Sequence, residues 1–494
     1  MSVLAVDAGT TGVTALIVSG QAQILARGYC EFAQHFPSEG WVEHEPEQIW
    51  AATLAAVDLA LAALGDHADR PTAVGITNQR ETIVLWDRLT LAAPRRAIVW
   101  QDRRTAGICD QLRGDGHEPR VSALTGLRLD PYFSATKLTW IALNEPDIWA
   151  GVIEGTTAIG TIDSYLIARM TSGTVHITDA SNASRTLLFD IHTVSWSQEL
   201  CDLFRVPMAA LPRVVSSYGV VATTSPDLFA GLELPIAGIA GDQQAALFGQ
   251  ACFAPGSSKC TYGTGSFVLV NTGSEPAQSS AGLLTTVAWQ HPDGSVDYAL
   301  EGAIFVTGAA VQWLRDGLGI ISSAGETDSL ARSVPDSGGV VFVPALTGLG
   351  APDWDPHARG AIFGLSRGTT RAHIVRATLE AIAYEVADVV ALMAREGGIT
   401  LPVLAVDGGA AANDFLCQAQ ADVLQVPVLR ASVLETTGLG AAFLAGLATG
   451  VWPSFAAISE LVAQGAHFEP GGRDDSGYRR WRTAVERSKG WANL

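Results

Sequence analysis

The sequence predicts an α/β protein made of two duplicated halves with a cleft between them. A strand, a glycine-rich turn and a second strand occur twice, around DAGTTG from Asp7 and around YGTGSF from Tyr262. Each half also ends in an acidic glycine turn that opens a helix, AGDQQAALFG from Ala240 and VDGGAAANDF from Val406. At 494 residues the chain exceeds one ordinary core, so two domains are the default, 1–249 and 250–494, with the break at GQACFAPG. Ligands favour clefts between domains.

Taken in order, Val3 to Val6 and Thr14 to Val18 are short β-rich runs that flank Gly9 and Gly12, which predicts a hairpin. After Pro46, Ile49, Trp50, Thr53, Leu54, Val57 and Leu61 fall at helical spacing. Asn78-Gln79 before Arg80 and Glu81, with IVLW after them, place that charged pair at the start of a buried strand. Lys259 to Asn271 repeats the hairpin. A long helix follows from about Arg371 to Met393, with Ile374, Ala377, Ala381, Ile382, Val389 and Val390 along one stripe.

Composition narrows the partners. Hydrophobic residues are 48% and charged ones 16%, which implies a large interior. Gly, Pro, Asp and Arg interrupt the apolar runs before the roughly 18 residues a spanning helix needs, so no membrane insertion is expected. A net charge of −19 argues against nucleic acid. It leaves nucleotide binding open, since a phosphate site needs only local donors and a metal ion. The six cysteines form no CxxC or Cys/His cluster, so neither disulfides nor zinc is indicated. The start MSVLAVDAGTTG lacks a secretory pattern, and a cytoplasmic location is expected.

The chemistry rests on three motifs. Backbone N–H groups in DAGTTG, with Thr10, Thr11 and Gly12, can cradle phosphate, and Thr264 recurs in the second copy. The competing reading of each is a simple hairpin turn. Asp242 and Gln243 offer a base and an amide, against the plainer role of an N-cap for Asp242. Arg80 and Glu81 form a donor–acceptor pair, against an ordinary surface ion pair. Trp100 and Tyr132 read as plain core aromatics. Together these motifs read as a kinase for a small alcohol. A dinucleotide-binding dehydrogenase is set aside, because DAGTTG is not GxGxxG.

The stretches GITNQRET (75–82), AIVWQDRRTA (97–106), TGLRLDPYFSATKLTW (125–140), SNASRTLLFDIHT (181–193), GIAGDQQAALFGQ (238–250), TYGTGSF (261–267), TGLGAPDWDPHARGAIFGL (347–365) and VDGGAAAND (406–414) resemble those of bacterial glycerol kinases. These are FGGY carbohydrate kinases, and the resemblance implies two duplicated RNase H-like domains of the actin-like ATPase kind. It implies that Arg80, Glu81, Tyr132, Asp242 and Gln243 bind glycerol, with Trp100 and Phe267 walling its carbons. Asp242 would be the general base and Asp7 would help to hold Mg²⁺. Thr10, Thr11 and Thr264 would meet the phosphates of ATP, and Gly308, Gln312, Gly409 and Asn413 would surround the adenosine. A homo-oligomer, dimer or tetramer, is the expectation for the family.

Three departures stand out. The first turn reads DAGTTGVT, so Thr14 occupies the place of an arginine that usually reaches the phosphates. Between Arg213 and Lys259 there is no Lys, Arg or His, so the basic loop and the histidine through which some relatives are regulated are missing. Asp353 replaces a usual tyrosine in GAPDWDP. Two readings therefore stand beside a glycerol kinase: a kinase of another small polyol or sugar, and an ATP-binding relative impaired at Thr14.

Overall fold

The computed structural model describes all residues except 356, 463–464, 473–474 and 494; Pro356 of the GAPDWDP motif thus lies outside the described residues. Two large mixed sheets organise it. The first has the strand order Tyr218–Thr223, Pro235–Gly241, Pro71–Asn78, Ser2–Ala8, Gly12–Ser19, Ile24–Glu31. The second runs Leu284–Gln290, Val296–Ile304, Ser266–Gly273, Ser258–Tyr262, Leu404–Asp407, Val428–Arg430, Ala466–Phe468.

The duplication is visible strand by strand. Ser2–Ala8 pairs antiparallel with Gly12–Ser19 and parallel with Pro71–Asn78. Ser258–Tyr262 pairs antiparallel with Ser266–Gly273 and parallel with Leu404–Asp407. Both predicted hairpins are present, and their turns hold the glycine-rich motifs.

Three parallel strands of the first sheet, Ser2–Ala8, Pro71–Asn78 and Pro235–Gly241, end at one edge. That edge therefore collects Asp7, the segment after Asn78, and Asp242. Carboxyl ends of parallel strands are where ligands bind in α/β sheets.

The helix Pro46–Leu64 buries Ile49, Trp50, Thr53 and Val57, whereas Leu54 and Leu61 are half-buried at the stripe's margin. By length and mean hydropathy alone it could cross a membrane, but Glu47 and Asp58 interrupt its apolar run. Here its backbone lies directly on the first sheet: a Cβ at Gly28 would come within 1.9 Å of the Ala56 carbonyl oxygen. The long helix spans Arg371–Gly397 and buries Ala377, Ala381, Ile382, Val389 and Val390, while Ile374 is partly exposed. VDGGAAANDF differs from expectation. A 3₁₀ turn, Gly409–Ala412, precedes the helix Asp414–Leu424, because Asn413 takes the N-cap and its side chain accepts from the Leu416 N–H.

The helix Thr436–Thr449 joins the two sheets. Although late in sequence, it packs on the first sheet and shares one apolar cluster with Val3, Leu16, Leu247, Leu269 and Trp289. Contact is backbone to backbone: an added Cβ would lie 1.8 Å from Ala245 O at Gly440, and 2.0 Å from Thr436 O at Gly249. Gly440→Ala is expected to destabilise by about 1–3 kcal/mol through overpacking, read as a lower urea midpoint. Gly107→Ala, in a helix with open space around it, is the control and should stabilise slightly. Equal effects of the two would contradict the close-approach argument.

Candidate active site

Arg80 and Glu81 are not at the start of a strand. They form a tight turn after Pro71–Asn78, ahead of the strand Ile83–Asp87. Hydrogen bonds within and around the turn build it: Thr82 N–H donates to Arg80 O, Thr82 Oγ1 to Gln79 Oε1, and Gln79 Nε2 to Gly9 O. The last of these ties it to the first phosphate turn. Glu81 sits at φ 61, left-handed backbone that a side chain rarely adopts. Both residues are almost fully buried, at 2% and 1% exposure.

Arg80 is the centre of the site. Its Nε lies 3.1 Å from Asp242 Oδ1 and its Nη2 donates to Tyr132 Oη at 3.3 Å. Tyr132 packs edge-on to Trp100 with ring centroids 5.5 Å apart, and Trp100 Nε1 donates to Thr10 Oγ1 at 3.0 Å. Both rings are half-buried. These aromatics are thus not enclosed in an apolar core: both are partly exposed and their polar atoms meet Arg80 and Thr10. Asp242 keeps 30% of its side chain exposed and opens the helix Asp242–Gly249, but the N-cap is Gly241. Its carboxylate is turned to Arg80 and to the Gln243 N–H, away from a capping role.

Gln243 accepts at Oε1 from Lys259 Nζ at 2.5 Å, so its amide is anchored to the second sheet. Lys259 is fully buried and also donates to Thr261 Oγ1. Burial pulls its ammonium down, opposed by the nearby Asp407 carboxylate. Phe267, half-buried, sits opposite Ala303 on the strand next to Val296–Ile304.

A second group lies at the carboxyl ends of the second sheet. Gly308 N–H donates to Gly263 O, and Thr307 and Ala309 N–H donate to Thr264 O, which closes the exposed Thr264 turn onto the helix Gly308–Gln312. Gln312 and Gly409 are exposed. Asn413 spends its side chain on the helix cap and on Thr327 Oγ1, so a ligand could meet only what that leaves.

Asp7 is the second-last residue of the first strand, Ser2–Ala8. Burial, and then repulsion from Asp242, push its carboxyl up to about 7. Folded protein therefore holds this proton more tightly than unfolded chain; stability is full below about 3.8 and is lost as pH rises through about 7. In protein free of nucleotide and metal, Asp7→Asn should gain on the parent in urea midpoint between pH 4 and pH 8. A constant difference across that range would contradict this.

Thr14 lies opposite both Asp7 and Tyr29. The Tyr29 ring covers Gly12, where an added Cβ would lie 2.8 Å from it, and the Arg27 guanidinium stands 5.6 Å from the ring centre. Asp353 now has a structural account. It pairs with Arg482 at 3.0 Å and Lys489 at 2.7 Å, tying the loop that carries Trp354 to the C-terminal helix Ser476–Ser488 and its end.

Three charged residues escaped the sequence reading: Arg185, Glu301 and Lys259, all fully buried. Their signal was present as lone charges inside small or apolar runs, SNASRTLL, YALEGAIF and SSKCTYG. A buried charge needs a partner, so such a residue marks a network.

Two sheets of repeated topology, with glycine turns and carboxylates at their strand ends, define an actin-like ATPase fold of the two-lobed kinase kind. The models of the FGGY family of carbohydrate kinases match here, the N-terminal domain over residues 2–249 and the C-terminal domain over 258–449. The chain belongs to this family. It is 54% identical to a glycerol kinase of Dechloromonas aromatica over 494 residues, covering 99% of this chain and 98% of the relative. It is 53% identical to a glycerol kinase of Aromatoleum aromaticum, covering 99% of each. Among solved structures, Plasmodium falciparum glycerol kinase with ADP superposes with a TM-score of 0.92 at 35% identity, covering 99% of this chain and 98% of that one.

Proposed function

We propose that the chain transfers the γ-phosphoryl group of ATP to glycerol, giving sn-glycerol 3-phosphate and ADP. The observation that carries this is the partly exposed Asp242, 3.1 Å from an Arg80 that also contacts Glu81 and Tyr132, whose ring packs on Trp100, in a chain more than 50% identical over its length to glycerol kinases. A C3 triol suits a pocket with aromatic walls and a few polar anchors. Arg80, Glu81, Tyr132, Asp242 and Gln243 bind its hydroxyls, and Trp100 and Phe267 face its carbons.

Asp242 takes the proton of the attacking hydroxyl as its oxygen bonds to the γ-phosphorus, and the β–γ bridging bond breaks to release ADP. Backbone N–H groups of the turns holding Thr10, Thr11, Gly12 and Thr264 receive the phosphates, and Gly308, Gln312, Gly409 and Asn413 border the adenosine. Asp7 is a hard oxygen donor repelled by the Asp242 carboxylate, a repulsion a divalent cation would relieve, so Asp7 would help to hold Mg²⁺. When bound, Mg²⁺ neutralises charge on the phosphates. The domain boundary falls at 249/250, and the enzyme works in the cytoplasm as a homo-oligomer.

Thr14 favours a second reading, an impaired ATP-binding relative, since the first phosphate turn carries no cation of its own. ADP release from Mg-ATP decides, tested with glycerol, dihydroxyacetone, glyceraldehyde, erythritol, D-xylulose and gluconate. Glycerol as the best substrate supports the proposal. ATP binding without turnover on any of them would replace it with the second reading, and Thr14→Arg would then restore activity.

A further inference from the structure

Behind the pocket, four buried charges close a circuit that crosses between the two sheets. Glu301, on the strand Val296–Ile304 of the second sheet, grips Arg80 with both oxygens: Oε2 accepts from Nη1 at 2.5 Å and Oε1 from Nη2 at 3.1 Å. Arg185 donates Nη2 to Glu301 Oε1 at 2.8 Å and Nε to Glu81 Oε1 at 2.7 Å. None of the four is more than 2% exposed. A buried circuit of this kind survives only with its geometry intact, because losing one member strands another in a low dielectric.

Its arrangement leaves particular atoms over. Both Nη atoms of Arg80 are taken, by Glu301, Gln244 and Tyr132, so the Nε edge is what it turns to Asp242. Glu81 is held through Oε1 alone, and among the described residues its Oε2 has no hydrogen-bond partner. Arg185 Nη1 is buried without a partner as well. One acceptor beside Arg80 and one buried donor thus remain unpaired among the described residues, and the buried donor is the costly one. The left-handed backbone at Glu81 fits the same account, since strain of this kind persists where surrounding contacts over-determine it.

We infer that Glu301 and Arg185 are positioning residues that set substrate specificity: Glu301 aims Arg80, and Arg185 turns Glu81 so that its free oxygen accepts from a substrate hydroxyl. This rests on the proposed glycerol kinase reading and extends it. An acceptor fixed in this way favours a substrate that can donate a proton there. Glycerol donates from all three oxygens, whereas dihydroxyacetone donates from its two terminal oxygens and only accepts at the central one, so Glu81 separates them where it meets the central oxygen. Preference for the alcohol over the ketone therefore depends on a circuit whose keystone, Glu301, belongs to the second sheet.

The test compares parent, Arg185→Lys and Glu301→Gln. Steady-state constants for glycerol, dihydroxyacetone and ATP are measured, together with glycerol affinity by calorimetry, which needs no turnover. Loss of one charge-assisted hydrogen bond corresponds to about tenfold or more. In Arg185→Lys, the ratio of kcat/KM for glycerol to that for dihydroxyacetone should fall by about tenfold. In Glu301→Gln, the glycerol KM and Kd should rise by about tenfold while the ATP KM stays within about twofold. Equal loss on glycerol and dihydroxyacetone, or an ATP KM that moves with the glycerol KM, overturns the inference and leaves a merely structural role. If Glu301→Gln does not fold, the Arg185→Lys ratio alone decides. A parent that turns over other substrates but neither binds nor phosphorylates glycerol defeats the glycerol reading itself, and this inference with it.

Discussion

Asp242→Asn is expected to lower kcat for glycerol by about 10²–10⁴-fold, the range attributed to a positioned general base, while ATP binding is retained. The substitution keeps shape and removes the basic lone pair. It leaves Arg80 held by Glu301 on both Nη atoms, so the fold should survive with little change in urea midpoint. It also removes the like charge that helps to push Asp7 up, so the Asp7 carboxyl should titrate lower in this variant. ADP release and nucleotide calorimetry on one preparation are the measurements. A kcat within about tenfold of the parent would mean that another group, or water, takes the proton.

Arg80→Met should combine the largest loss of stability with loss of glycerol turnover. Removing one partner of a buried ion pair costs about 3–5 kcal/mol, because the charge left behind is uncompensated. Here Glu301 and Glu81 would keep Arg185 alone, while Asp242 would lose the guanidinium 3.1 Å from it. Burial alone would raise the Glu301 carboxyl, but Arg185 and Arg80 hold it down to about 2. Its stabilising contribution is therefore present above the ordinary value of 4.5 and fades as pH falls through about 2. In Arg80→Met that loss should begin at a higher pH. Urea unfolding followed by circular dichroism from pH 3 to pH 7 reads both effects. Arg80→Met/Glu301→Gln should recover part of the stability, since it removes the stranded charge as well. A cost below about 1 kcal/mol for the single variant would show that water reaches the cluster and screens it.

Much of the architecture was legible because it follows from local rules. The two hairpins could be read from β-rich runs around glycine turns, and the helices after Pro46 and from Arg371 from apolar spacing. Arg80 and Glu81 stood out as charges where burial was expected and Asp242 as a base beside an amide, and they do gather at one sheet edge. The error at Arg80 and Glu81 has a physical cause. A strand pattern fixes which residues alternate, whereas a two-residue turn in left-handed backbone at a non-glycine residue carries no period at all. Trp100 and Tyr132 were read as core for a similar reason. An aromatic ring beside a pocket and one inside a core have the same local signature, and only the partner of its polar atom separates them.

What the sequence determined by itself was the repeat, the order of strands and helices, the phosphate turns and the chemical types available at the site. These depend on residues a few positions apart. What the tertiary structure decided was pairing: Glu301 with Arg80 across 221 positions, Arg185 with Glu81 across 104, Lys259 with Gln243, and a late helix, Thr436–Thr449, packed on the first sheet. A lone buried charge announces that it needs a counter-charge, but opposite charges attract without regard to sequence distance. Only the close approach of the two sheets selects which partner it meets.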